Sequence, residues 1–207
     1  MSPRPAFAEL PAVLSTHDLP LPELCAARLD GELFALCDGF VVIDQPDHRN
    51  QRAAAVLIGQ PDRVIAEQRT AAWIWGATET PPWPHELCVG SAARVRTSGS
   101  GWANVREVVI ESSEIAIVAG LQVTTPLRTI VDLARFANPF GEHEVRIVKT
   151  MIASGHTRLS DCASALSERR NLPNKRRALE RLELCAHERP ADRPENRAVV
   201  LLRASRY

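Results

Sequence analysis

The stretch from residue 115 to 137 constrains this chain more than any other. An apolar, β-branched run, IAIVAGLQV, leads through Thr124 into Thr125 and then PLRTIVDLARFA. The first part has the composition of a strand. In the second, Thr125 is a favoured N-cap, and Pro126 stands at the first helical position, where its missing N–H is not needed. Leu127, Ile130, Val131 and Ala134 recur at helical spacing, so one face of that helix must be buried. A strand that passes directly into an amphipathic helix calls for a sheet with a helix packed on it.

The flanking sequence extends this pattern. From Glu86 to about Val123, the short runs ELCVG, ARVR, NVREVVI and IAIVAGLQV are separated by TSGSGW and ESSE, which predicts an antiparallel sheet of three or four strands. Ahead of them, RVIAEQRTAAWIWGA sets Ile65, Ala72 and Trp75 at helical spacing, as core positions. Behind them, helices are predicted over about 142–154, 158–169, 173–187 and 194–203. Proline and glycine divide the first 45 residues into helical stretches at about 5–15 and 21–29 and a hairpin, GELFALCDGFVVID, turning at Asp38-Gly39. Two helices and a two-stranded wing predict a winged helix-turn-helix. The polar joint QPDHRNQR marks a boundary near 46–52. The expected class is therefore α+β: an N-terminal winged helix-turn-helix over 1–46, a small antiparallel sheet packed with several helices over 53–187, and a basic C-terminal helix or tail over 188–207.

Composition narrows the setting. At 207 residues, 45% hydrophobic and 24% charged, the chain has the make-up of a globular protein. It contains no apolar run of the roughly 18 residues that suggest a membrane span, and MSPRPAFAEL lacks a secretory core, so a cytoplasmic location without membrane contact is expected. The five cysteines never form CxxC and read as small buried hydrophobes. A formal net charge of zero hides a gradient. Residues 1–45 hold two basic and seven acidic side chains, whereas 169–207 hold eleven basic and five acidic ones.

Catalytic signatures are sparse. The chain has no GxxxxGK[ST], GxGxxG, GxSxG, HExxH, HRD or DFG. SGSG at 98–101 reads as a turn between strands, since no helix follows it to hold an anion. His85-Glu86 and Glu142-His143-Glu144 read as solvated polar positions, and no metal site is expected. Two charged sets remain. Arg128, Asp132 and Arg135 fall at i, i+4 and i+7 on one helix face, either as a salt-bridge ladder or as a guanidinium pair for a partner's carboxylate or phosphate. Lys175, Arg176, Arg177 and Arg181, with Asn174 before them, form either a solvated face or a binding face for an acidic protein or nucleic acid.

The order of pieces resembles the AbiEi-type antitoxins, partners of nucleotidyltransferase toxins. Gly120, Val123, Thr124, Thr125, Pro126, Arg128, Thr129, Asp132, Leu133 and Ala134 match that family's strand-to-helix motif. The resemblance covers about residues 8–187 and is strongest over 61–135. It implies an antitoxin that neutralises a toxin acting on RNA. Neutralisation could proceed by direct binding through Lys175, Arg176, Arg177 and Arg181, without a complex, or by phosphorylation of a toxin serine by an atypical kinase. In the kinase case ATP and magnesium would be the cofactors, and Arg128, Asp132 and Lys149 the catalytic set. The winged helix departs from the family pattern: it offers promoter DNA only Arg28, among acids. Longer relatives continue into a nuclease-like domain, so no nuclease activity is expected of this chain. The rival reading from another class is a winged-helix transcriptional regulator with no toxin partner.

Overall fold

A computed structural model describes residues 11–60, 63–91 and 103–187. The expected helix at 194–203, the SGSG turn, the ARVR run, the tail over 188–207 and residues 5–10 of the first expected helix lie outside this range.

The N-terminal part holds helix α1 (Leu21–Leu29) and the antiparallel hairpin of β1 (Leu33–Leu36) and β2 (Gly39–Val42). Helix 21–29 and the hairpin are as predicted, but the described end of the first expected helix is not helical. Leu14 instead exchanges backbone hydrogen bonds with Phe40 (2.7 and 2.8 Å). Next to it, the Asp18 carboxylate accepts from the Ser15 amide and hydroxyl, a local turn that competes with helix formation. Among the described residues, then, one helix precedes the hairpin and the helix-turn-helix is not completed.

The polar joint contains the start of a helix, α2 (Arg49–Leu57), with His48 and Gln51 forming a capping box. Then follow β3 (Ile65–Ala66) and α3 (Gln68–Ile74). Ile65 is core as expected, but it lies in a strand and does not share a helix with Ala72.

The sheet has the order β5-β4-β3-β7-β6, with β4 (His85–Gly90), β5 (Ala103–Val108), β6 (Ile115–Val118) and β7 (Leu121–Thr124). The α+β class stands. Within the sheet, however, β3/β7 and β4/β5 pair in parallel, and only β3/β4 and β6/β7 are antiparallel. The run IAIVAGLQV is not one strand but two, turning at Ala119 and Gly120, both with positive φ.

Helix α4 (Pro126–Phe136) follows β7, with Thr125 as N-cap accepting from the Arg128 amide at 3.4 Å. Helices α5 (Glu142–Ala153), α6 (Leu159–Glu168) and α7 (Lys175–His187) close the fold near their predicted limits.

Ala53 and Val56 of α2 cover one face of the sheet, packing with Ala66, Leu87, Val89, Val118, Leu121 and Val123. Ile130, Leu133 and Ala134 of α4 pack with Val148 and Met151 of α5, Leu166 of α6 and Leu182 of α7 in a second, helical core. Cys88, Cys162 and Cys185 are buried as expected, whereas Cys25 is exposed and Cys37 half-buried, and no disulfide joins them among the described residues.

Candidate functional site

The strand-to-helix junction carries a buried charge network. Asp132, 1% exposed, accepts from Arg128 Nε at 2.7 Å and Arg135 Nη1 at 3.2 Å, while Arg106 Nη2 of β5 lies 3.8 Å away. Arg128 also donates from Nη1 to Glu114 at 2.6 Å, and Arg169, just after α6, donates to the other Glu114 oxygen at 2.6 Å. Arg106 holds buried Glu67 through both carboxylate oxygens. Arg106 and Arg135 each stack over Phe136 with 4.3 Å to the ring centroid. Four guanidinium groups thus meet three carboxylates.

The ionisation of these groups reflects this crowding. Burial pushes the Glu67 carboxyl above its usual range, against the pull of Arg106. Burial lowers the hold of Arg135 on its proton, and together with the nearby guanidinium groups of Arg128 and Arg106 it outweighs the help of Asp132. For Arg128, burial acts in the same direction but Asp132 and Glu114 more than reverse it. The network joins five elements across the sheet–helix contact, so what the sequence offered as a ladder along one helix is a three-dimensional cluster.

Lys149 is half-buried on α5, and the ion pairs of Arg128 and Asp132 run to Glu114, Arg106 and Arg135. The basic set on α7 divides in two. Lys175 Nζ donates to the carbonyls of Ser167 (2.7 Å) and Arg169 (3.1 Å), tying the end of α6. Arg181 donates to the Ala134 carbonyl at 2.9 Å and stacks over Phe140. Both tie the α7 region to neighbouring elements. Arg176, with a side chain 95% exposed, and Arg177 point to solvent. Arg28 is exposed in the last turn of α1, where a cation suits the helix dipole.

A second charged group lies on the same side of the sheet. Arg69 of α3 donates to Glu86 at 2.6 Å and to Glu144 at 2.8 and 2.9 Å. Burial works against the Glu144 carboxylate, yet the Gly141 amide and Arg69 hold its pKa below the usual range. Glu86 and Glu144 are therefore ion-pair partners and not solvated positions. His85 points away from Glu86, as alternation along a strand requires. It is 1% exposed, and neither ring nitrogen has a hydrogen-bond partner. Among the described residues no three His, Cys, Asp or Glu side chains gather as a metal would need.

Sequence reading singled out Arg128, Asp132 and Arg135 but missed Glu67, Arg106, Glu114 and Arg169, which complete the cluster. Arg106 carried one weak signal, a charge inside a β-branched run. The others come from loops and helix ends 14 to 65 positions from Asp132 or Arg128 in sequence, and nothing local relates them.

Residues 64–184 match the family model described as the AbiEi antitoxin C-terminal domain. No curated protein matches the chain. Among solved structures, the crystal structure of the RV2827C protein from Mycobacterium tuberculosis is similar to this chain, with a TM-score of 0.47 and 17% identity over 84% of this chain and 72% of that one.

Proposed function

The chain belongs to the AbiEi antitoxin family, and from that premise we propose that it neutralises a cognate nucleotidyltransferase toxin acting on RNA by direct binding. One observation carries the choice of binding over phosphotransfer. The Asp132 carboxylate, the acid a kinase reading would need, is buried and accepts from Arg128 and Arg135, with Arg106 beside it. A carboxylate engaged in this way holds α4 to the sheet and offers little free surface to a magnesium ion or a substrate hydroxyl. Arg176 and Arg177, by contrast, project from α7 into solvent, Arg176 beside the exposed Glu180 carboxylate at 3.5 Å, and can meet an acidic toxin surface.

Titration of the purified toxin decides between the modes. Under the binding reading, protection tracks molar ratio, and a double charge reversal of Arg176 and Arg177 abolishes it. Because both side chains are exposed, the variant keeps stability to within about 0.5 kcal/mol per site. Trace antitoxin that inactivates excess toxin with ATP and magnesium, adding about 80 Da as one phosphoryl group, would replace binding by phosphotransfer. Persistent toxicity in cells that make both proteins in soluble form would overturn the toxin assignment itself.

A further inference from the structure

The N-terminal part carries a cavity of about 500 Å³ between the C-terminal end of α1 and the open end of the β1–β2 hairpin. Its floor is apolar. Leu14, Leu19 and Leu33 line it, and Ile43, 54% exposed, carries the apolar surface out to solvent. Its charge has one sign. Glu32 and Asp44 are exposed lining residues, and neither carboxylate has an ion-pair or hydrogen-bond partner among the described residues. The Ile43 amide donates to the Glu32 carbonyl at 3.0 Å, which fixes both acids at the same end of the hairpin. Arg28 does not line the cavity, so two carboxylates stand without a cation and its formal charge is −2. Residues 1–45 as a whole hold two basic and seven acidic side chains, where a DNA-reading module would offer cations to phosphate.

We infer that this groove docks a segment of a partner protein that presents large apolar side chains flanked by lysine or arginine. The floor takes the apolar side chains out of water, and the unpaired carboxylates at the rim select the flanking cations. Nucleic acid would meet uncompensated negative charge. A second copy of this chain offers the wrong rim: on its α7 the exposed Leu184 lies beside the exposed Glu180 and Glu183, which would bring like charge to Glu32 and Asp44. The groove lies outside residues 64–184 of the family match and uses neither Arg176 nor Arg177, so the inference stands apart from how a toxin is neutralised.

The test uses the full-length, isotope-labelled protein titrated with a capped peptide of two Lys-Leu-Leu-Lys repeats and followed by the backbone amide resonances of Gly31, Leu33 and Ile43. We expect saturable binding with a Kd of about 0.1 to 1 mM, as for a short segment that is ordered on binding. Glu32→Lys combined with Asp44→Lys should weaken it about tenfold, whereas Glu107→Lys combined with Glu183→Lys, which changes the net charge equally at exposed sites outside the groove, should leave it within about twofold. Ile43→Ser, a substitution at an exposed side chain, should weaken it about fivefold. The counterpart peptide with glutamate for lysine should not saturate. No saturation by the lysine peptide, as for a groove already filled by the chain itself, would overturn the assignment. So would equal binding of the glutamate peptide, equal loss from the Glu107 and Glu183 pair, indifference to Ile43→Ser, saturation of the same resonances by a DNA duplex, or their shift with protein concentration alone, the mark of a second copy. The glutamate-peptide comparison on the unaltered protein requires no variant to fold.

Discussion

Asp132 shows how a residue's surroundings decide what its substitution reports. From sequence alone, Asp132→Asn is a shape-preserving probe of chemistry. In the fold, its carboxylate is the shared acceptor of Arg128 and Arg135 in a buried cluster that already has more cations than anions. Removing one charge leaves buried guanidinium groups undercompensated, which destabilises proteins by several kcal/mol. We predict that Asp132→Asn lowers unfolding free energy by about 3 kcal/mol in urea titrations; a loss below about 1 kcal/mol would mean that the cluster contributes little to stability. His85 makes the opposite case. Its two unpartnered nitrogens are buried, and burial lowers its pKa despite the pull of Asp38. A base whose folded pKa is depressed binds fewer protons folded than unfolded, so its contribution to stability is lost as pH falls below the unfolded value of about 6.5. His85→Phe keeps the ring contact with Trp83 and removes both unsatisfied atoms. The variant should be at least as stable as the parent near neutral pH, and its advantage should grow between about pH 6.5 and 5. An advantage constant over that range would show that His85 does not titrate there. No sequence signal distinguished this histidine, because its partners' absence is a property of packing.

Among elements, those governed by local chemistry were legible. Thr125 and Pro126 specify the start of α4, and the apolar spacing of α5 to α7 gives their limits within a few residues. Pairing direction was not legible, since parallel β3/β7 and β4/β5 depend on which strands meet and not on the composition of any one. The β6–β7 hairpin was hidden for a more specific reason. Ala119 and Gly120, at φ +46° and +85°, occupy the central positions of a two-residue turn, which favours residues that tolerate positive φ. The usual asparagine or aspartate is replaced by alanine, so the apolar run reads as unbroken. That substitution leaves strain in the turn, because a Cβ in the left-handed region is unfavourable by about 1 to 2 kcal/mol. Ala119→Gly should relieve part of it and raise stability by about 0.5 to 1 kcal/mol, the glycine's extra unfolded-state entropy offsetting the rest. An unchanged or lower urea midpoint at constant m-value would show the turn to be unstrained.

At the scale of the whole molecule, the family match and the physical unit need not have the same limits. The match begins at residue 64, yet the sheet it contains is covered on one face by α2, which precedes it. Ala53 and Val56 sit against Val118, Leu121 and Val123, and Arg52 reaches across to the carbonyls of Trp73 (2.5 Å) and Thr78 (2.9 Å) while its guanidinium stacks on the Trp73 ring. Helix α2 thus joins the sheet through both apolar contact and a buried cation. Its opposite side, through Ala55, meets Val13 and Val41 of the N-terminal part, so the helix is shared between the two clusters. A fragment of residues 64–187 would expose Leu121, Val123 and Val118 together, a contiguous apolar patch of the kind that drives association. We predict that this fragment binds hydrophobic dyes or aggregates and lacks a cooperative urea transition, whereas 47–187, which keeps Asp47, the His48 cap and all of α2, unfolds cooperatively with a midpoint below that of the full chain. Equal cooperativity in the two fragments would show that the sheet is stable with one face uncovered, and that α2 belongs with the N-terminal part alone.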